Sequence, residues 1–365
     1  MDIGFVVHDY DVREGHGRYS VELISRISRV HKVTLYATNV SHDPPASVDV
    51  VKVPTIRRPS YATILTFPKA FAVVRRRHDL IHTQGWNTTS ADIATAHICI
   101  AAWRLANMHA PTGSGFGEKV LGWYVERQER NFYRNGVRHI IAPSNRVRLD
   151  LEKHYRVSVE ATVIPHGFSE AVAAPPPPPP REQSRRELQL PQDVFVAFYA
   201  GDARKGLDVT LRAVADVDAI HLLVVSRSKL RSYQSLASQL GIENRTYWVP
   251  GLPDLAAAYA ASDLLIHPTV YDAFGLVVAE ALAFGLPVIV SREAGITELL
   301  EDRRSAWLVR ASSAEDCAEA LRILSSDRRM VAEFATAAKE AAGRRTWNDV
   351  AAETMELYEK VATER

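Results

Sequence analysis

Cysteine is nearly absent from this chain of 365 residues: there are two, Cys99 and Cys317, each in an apolar stretch. That usage argues for a reducing compartment and against disulfide or cysteine-metal chemistry. No apolar run approaches the roughly 20 residues that span a bilayer. The opening Met1-Asp2-Ile3-Gly4-Phe5 enters a strand-like run without a basic n-region, so no secretory leader is expected and a cytoplasmic location is. The sequence also lacks aromatic platforms interleaved with basic groups, which removes nucleic acid from the expected partners.

What remains is an ordinary globular composition, 47% hydrophobic and 24% charged, in a chain long enough for two domains with full cores. The net charge of +1 conceals an asymmetry. Residues 1–170 carry 22 Lys and Arg against 16 Asp and Glu, and the remainder carries 22 against 27. The basic first half, densest at Arg57-Arg58 and Arg75-Arg76-Arg77, suggests peripheral contact with an anionic membrane or an acidic acceptor.

Along the first half, short apolar strands at 3–8, 32–37, 48–53, 80–83, 93–99, 139–143 and 161–165 alternate with amphipathic helices at 19–30, 62–77, 120–133 and 146–155. The first strand runs into a polar loop containing Gly15 and Gly17. Because Gly-x-Gly is followed here by Arg18-Tyr19-Ser20, it is not the dinucleotide fingerprint. His97 is placed near the carboxyl end of the fifth strand, and Ser144-Asn145 reads as a helix N-cap pair. Residues 101–120, with Trp103, Arg104, His109 and the Gly113–Gly117 cluster, read as a variable acceptor-side segment.

Six consecutive prolines, residues 175–180, form a polyproline II spacer of roughly 19 Å at a domain boundary. The β/α alternation then restarts, with strands at 194–200, 220–225, 246–249, 264–268, 287–290 and 307–309 and a final helix at 348–361. The expected division is 1–172, a linker at 173–192, 193–345, and a terminal helix at 346–365 that crosses back to the first domain. Both halves are doubly wound α/β.

The densest chemistry lies after the apolar run Leu264-Leu265-Ile266-His267-Pro268. A loop from Asp272 to Gly275 joins that strand to a helix starting at Leu276, and it carries Asp272 with Glu280 eight residues on. In open α/β sheets ligands bind beyond the carboxyl ends of the strands, and a helix start favours anions. Two acids in this position suit hydroxyl groups at separate points of one ligand.

Beside this stretch stands Gly201-Asp202-Ala203-Arg204-Lys205-Gly206-Leu207-Asp208, a cationic turn after the first strand of the second half. Together with Asp272-Ala273-Phe274-Gly275-Leu276-Val277-Val278-Ala279-Glu280 and the Ala-Leu-Ala-Phe-Gly-Leu-Pro-Val that follows, it resembles the retaining glycosyltransferases of family 4. Ala142-Pro143-Ser144, Val163-Ile164-Pro165-His166-Gly167 and Gly295-Ile296-Thr297-Glu298-Leu299 support the resemblance, which covers nearly the whole chain. The compact Gly-Asp-Ala-Arg-Lys-Gly form and residues 92–103 are similar to lipopolysaccharide-core glucosyltransferases within that family.

The resemblance implies the GT-B architecture, two Rossmann-like doubly wound domains facing a cleft. A nucleotide-diphosphate sugar is held by the second domain and a hydroxyl acceptor by the first. On this reading Glu280 anchors the ribose, and Arg204 and Lys205 grip the diphosphate and stabilise its growing negative charge. Backbone groups of Ala273, Phe274, Gly275, Leu276 and Val277 meet the phosphate or the sugar. Asp272 touches donor-sugar hydroxyls, His97 lies near the donor sugar, and Gly15 and Gly17 serve the phosphate and acceptor. Neither metal nor cofactor is required. Asp272 is a departure, since the family's Glu-x7-Glu motif begins with Glu; Ala306 is a second, at a position the family gives to Gly. Two other readings stay open: a sugar-nucleotide epimerase, and a non-catalytic sugar-nucleotide-binding subunit.

Overall fold

The computed structural model describes residues 1–56, 60–108, 116–168, 179–252 and 255–364. Arg57-Arg58, His109, most of the Gly113–Gly117 cluster and Pro175 to Pro178 lie outside the described residues. The chain divides into two compact units, one of Met1–Ala173 with Thr346–Arg365 and one of Ala174–Arg345.

In unit 1 the chain forms β1 (Asp2–Val6), β2 (Asp9–Tyr10), α1 (Gly15–Ile27), β3 (Lys32–Ala37), β4 (Asn39–Val40) and β5 (Val48–Lys52). It continues through α2 (Ser60–Val74), β6 (Leu80–Gln84), β7 (Ala91–Thr95), α3 (Ile100–Ala106) and α4 (Phe116–Asn135). Then come β8 (Val137–Ala142), α5 (Asn145–Tyr155) and β9 (Glu160–Val163). Among the described residues seven strands form one sheet in the order β5-β3-β1-β6-β7-β8-β9, with every pairing parallel.

Unit 2 repeats the plan. It contains α6 (Arg181–Glu187), β10 (Phe195–Ala200), α7 (Leu207–Ala215), β11 (Ile220–Val225), α8 (Arg231–Gln239), β12 (Thr246–Val249) and α9 (Ala256–Ala261). β13 (Leu264–His267), α10 (Leu276–Ala283), β14 (Val288–Ser291), β15 (Trp307–Val309), α11 (Ala314–Ser326) and α12 (Arg328–Gly343) follow. The sheet order β12-β11-β10-β13-β14-β15 is that of a doubly wound fold, with its switch point between β10 and β13. β10, β13 and β14 are buried along their whole length, which is why they read as unbroken apolar runs.

Three corrections fall in unit 1. Gly15 and Gly17, expected in a loop, are in the first turn of α1. Glycine is a poor helix former, but a Cβ on Gly17 would sit 2.2 Å from the Asp11 carbonyl oxygen, so this close approach overrides propensity. The same helix stops at Ile27, leaving Val30 exposed. His97 is not in a strand either. β7 ends at Thr95, and the histidine lies in the connection to α3.

In unit 2, α6 is anchored by Arg185, which is fully buried. Its guanidinium donates to the Ala261 carbonyl at 2.9 Å and to Asp263 Oδ2 at 3.0 Å, and that carboxylate also accepts the Val196 amide at 2.8 Å. A buried charge so fully bonded holds the start of β10 against the start of β13.

The last helix, α13 (Trp347–Thr363), belongs to unit 1. Thr346 and Asp349 form a reciprocal capping box at its start. The Tyr358 hydroxyl is hydrogen-bonded at 2.6 Å to His82 Nδ1 in β6, and Arg26 Nε of α1 donates to Asn348 Oδ1 at 2.6 Å.

Candidate active site

The two turns that carry the cationic and acidic motifs leave adjacent strands. Residues 201–206 follow β10 and residues 268–275 follow β13, on either side of the switch point. Gly206 has φ +95°, and a Cβ there would meet the Pro268 carbonyl oxygen at 2.4 Å. Only glycine lets the two turns close to this distance.

Lys205 Nζ thereby reaches Asp272 Oδ2 at 2.7 Å. The same oxygen is hydrogen-bonded at 3.0 Å to Nε2 of His267, the last residue of β13. Asp272 is buried, and its backbone is fixed by the Gly295 amide donating to its carbonyl at 3.0 Å. Burial pushes its carboxyl up, but the Lys205 charge and the His267 hydrogen bond outweigh that penalty, so it stays well below the usual carboxylate range. The shorter side chain thus turns onto Lys205. His267 was visible in the sequence as the end of an apolar run, but only the fold places it behind Asp272.

Arg204 is folded onto Asp202, its Nε 3.0 Å from Oδ1 and a terminal nitrogen 2.6 Å from Oδ2. Both partners are substantially exposed. Such a surface pair contributes about 0–1 kcal/mol, so a phosphate competes for the guanidinium at little cost.

Gly275, at φ +106°, is the N-cap of α10, and no side chain caps the helix. The first amides of α10, at Leu276 and Val277, have no helix carbonyl ahead of them to bond, an arrangement that suits an anion, and Phe274 before them is buried at the bend with Ala273. Glu280 lies one turn into α10, where the Tyr259 hydroxyl donates to its Oε2 at 2.9 Å. Tyr259 comes from α9, and its ring stacks on Phe284 at 4.9 Å between centroids. The Ala-rich composition of α9 gave no signal for this role.

In unit 1, His97 Nε2 is 2.8 Å from Gln84 Oε1. Parallel pairing of β6 with β7 sets Gln84 opposite Thr95, two residues before the histidine. Tyr19 of α1 packs edge-on to His97 at 5.1 Å and against His166 at 4.8 Å. Burial, with the neighbouring histidines His166 and His16 adding to it, holds His97 well below the usual imidazole range and therefore neutral at pH 7. Gly15 and Gly17 flank His16, whose own pKa burial lowers to about 3.

Two family models match the chain: "Glycosyl transferases group 1" over residues 180–341 and "Glycosyltransferase Family 4" over residues 13–172. It is 26% identical over 303 residues to D-inositol 3-phosphate glycosyltransferase of Arthrobacter sp. (strain FB24), covering 77% of this chain and 70% of that protein. It is 23% identical over 323 residues to lipopolysaccharide glucosyltransferase WaaG of Escherichia coli (strain K12), covering 85% of each. A crystal structure of WaaG superposes with a TM-score of 0.79 at 21% identity, over 97% of this chain and 99% of that one. Anabaena Alr3699/HepE in complex with UDP and glucose superposes at 0.76 and 17% identity, over 98% and 99%.

Proposed function

Since the chain belongs to the family 4, group 1 glycosyltransferases of GT-B fold, we propose that it moves a sugar, with retention of configuration, from a UDP- or GDP-sugar to a hydroxyl of a saccharide, lipid-linked or small-molecule acceptor. The observation that carries this reading is the convergence at one switch point of Lys205, Arg204 and the uncapped start of α10. That set suits a diphosphate. Glu280, oriented by Tyr259, is assigned the ribose hydroxyls. The acceptor is assigned to unit 1, with His97 and the Gly15–Gly17 turn as its contacts to the reactants.

In the reaction the bond from the anomeric carbon to the diphosphate oxygen breaks, and negative charge grows on that oxygen. Lys205, Arg204 and the α10 amides stabilise this charge, the largest electrostatic change on the reaction path. The acceptor hydroxyl attacks from the same face, and its proton passes to the departing phosphate oxygen. The step calls for no metal or cofactor. HepE with bound UDP and glucose is a structural neighbour compatible with a uridine donor.

The test is a thermal-shift screen of UDP-, GDP- and dTDP-sugars, followed by mass detection of transfer. One nucleotide class should raise the unfolding midpoint, and Glu280→Ala should weaken that donor about 10–100-fold through the loss of charge-assisted hydrogen bonds. A shift that Glu280→Ala leaves unchanged would overturn the ribose assignment. Donor binding with no turnover across many acceptors would favour the non-catalytic subunit, and acceptor-free release of nucleotide diphosphate would favour the epimerase.

Peripheral contact with an anionic membrane, on the cytoplasmic side, is part of the same proposal. Among the described residues no helix is long and apolar enough to cross a membrane. Trp123 and Tyr124 are exposed on α4, Leu105 and Met108 are exposed at and just after the end of α3, and Arg127 lies 5.6 Å over the Trp123 ring. Aromatic and basic groups side by side suit a headgroup layer. Binding to vesicles containing anionic lipid should fall as salt rises and should drop severalfold in Trp123→Ser; binding that ignores both changes would remove this contact.

A further inference from the structure

We propose that His8, Asp9 and His16 form a binding site for one divalent transition-metal ion of the zinc and cobalt(II) class. One ligand atom from each of the three residues lies within 4.8 Å of the other two. The His8 and His16 rings stack at 4.4 Å between centroids with 30° between their planes, and Asp9 Oδ2 is 3.4 Å from His8 Nε2. Zinc bound tetrahedrally at about 2.1 Å from each ligand holds them about 3.4 Å apart. The His8–Asp9 pair already has that spacing, and the His16 ligand atom lies within 4.8 Å of both partners.

The local fold holds the three residues where they are. His8 lies between β1 and β2, and Asp9 opens β2, in which Asp9-Tyr10 pairs with Asn39-Val40. His16 sits in the first turn of α1, which Gly17 presses against the Asp11 backbone. Asp11 itself is taken up by Arg13, whose Nε donates to both carboxylate oxygens at 2.8 and 3.0 Å, so Asp9 is the carboxylate that faces the rings.

The nitrogens give the second line of evidence. His16 Nε2 is buried and has no hydrogen-bond partner among the described residues, and His8 Nε2 faces Asp9 Oδ2 at 3.4 Å. Buried polar atoms are nearly always partnered, and an orphaned imidazole nitrogen beside the His8–Asp9 pair calls for a ligand. Two imidazoles and one carboxylate make a three-ligand set with room for water in a fourth position. Such a set selects zinc, cobalt(II) or nickel(II) over magnesium and calcium, which prefer oxygen ligands.

The ligands come from unit 1, where His16 lies in the Gly15–Gly17 turn assigned to the reactants, whereas Arg204, Lys205 and Glu280 belong to unit 2. The test reads metal binding directly and does not depend on turnover. By joining His8 to His16 it would pin the whole connection between β1 and α1, including the turn with Gly15 and Gly17.

The experiment uses the full chain, stripped with a chelator and titrated with cobalt(II) and zinc chloride. One equivalent of cobalt(II) should bind with visible absorption bands of low-coordinate geometry, zinc should displace it, and zinc should raise the unfolding midpoint. Outer-shell partners of a metal are worth about 10–100-fold in affinity, so losing a direct ligand in His8→Ala or His16→Ala should weaken binding by at least about 100-fold. Metal-free far-ultraviolet spectra and melting curves will show whether each variant folds. Asp9→Asn, a surface change at a partly exposed position, gives an independent reading of at least about tenfold. His31→Ala should leave the titration unchanged. Absence of any site tighter than about 1 mM, or binding that survives in the folded His8, His16 and Asp9 variants, would overturn the proposal.

Discussion

Lys205→Ala lowers kcat/KM for sugar transfer by about 100- to 1000-fold, about 3–4 kcal/mol of transition-state stabilisation. The ammonium is placed by two constraints that survive the substitution: the Gly206 approach to Pro268 and the Asp272 carboxylate. Its removal therefore deletes a charge without moving the turn. The loss should appear mainly in kcat if Lys205 meets charge that develops as the sugar bond breaks, and in KM if it holds the ground-state diphosphate equally well. Transfer and donor hydrolysis should fall together. Activity unchanged in Lys205→Ala would remove the residue from the reaction.

Asp272→Asn is expected to do two kinds of damage. It takes the countercharge from Lys205 and weakens the charge-assisted hydrogen bond from His267, both made through one carboxylate oxygen. Because Lys205 keeps access to water while Asp272 is buried, the stability cost is about 1–3 kcal/mol rather than that of a fully buried broken pair. The unfolding midpoint should fall by roughly 2–10 °C. Turnover should fall by about 100-fold as Lys205 loses its fixed position. Asp272→Glu keeps the charge, so it should retain most of the stability while changing the relative rates with different donor sugars.

The pH dependence follows from the depressed Asp272 carboxyl, which burial opposes and the Lys205 charge and His267 bond bring about. A carboxyl whose folded pKa lies below its unfolded value of about 3.9 contributes stability that is complete above that value and disappears as pH falls through the folded one. The wild-type protein and Asp272→Asn should therefore differ most near pH 7, and the gap should narrow below about pH 4. Denaturant unfolding at pH 7 and pH 3 checks this, and an equal gap at both would show that the charge of Asp272 does not stabilise the fold.

Much of the fold was legible because its strands are parallel and covered on both faces. β10 and β11 are buried nearly throughout and appear in the sequence as apolar runs bounded by glycine or polar turns. The helix after β8 announced itself by Ser144, which accepts the Val147 amide. Short elements were not legible. β2, β4 and α3 have two to seven residues, too few for a repeating pattern to stand out, and α1 begins at glycines that propensity assigns to a loop. Of the candidate site, Lys205, Asp272 and Glu280 stood out by residue type and spacing. Tyr259 and His267 did not, since an aromatic in a short helix and a histidine ending a strand are indistinguishable in sequence from residues of the core.

The sequence by itself determined the two β/α repeats and the cationic and acidic motifs of the second half, because hydrophobic periodicity and motif spacing are local properties of the chain. Only the tertiary structure decided which side chains meet. Lys205 and Asp272 are 67 positions apart and touch because strand order sets β10 beside β13. His8 and His16 face each other because Gly17 lets α1 close onto the Asp11 backbone. Long-range pairing of this kind depends on the packing of whole elements, and no local pattern encodes it.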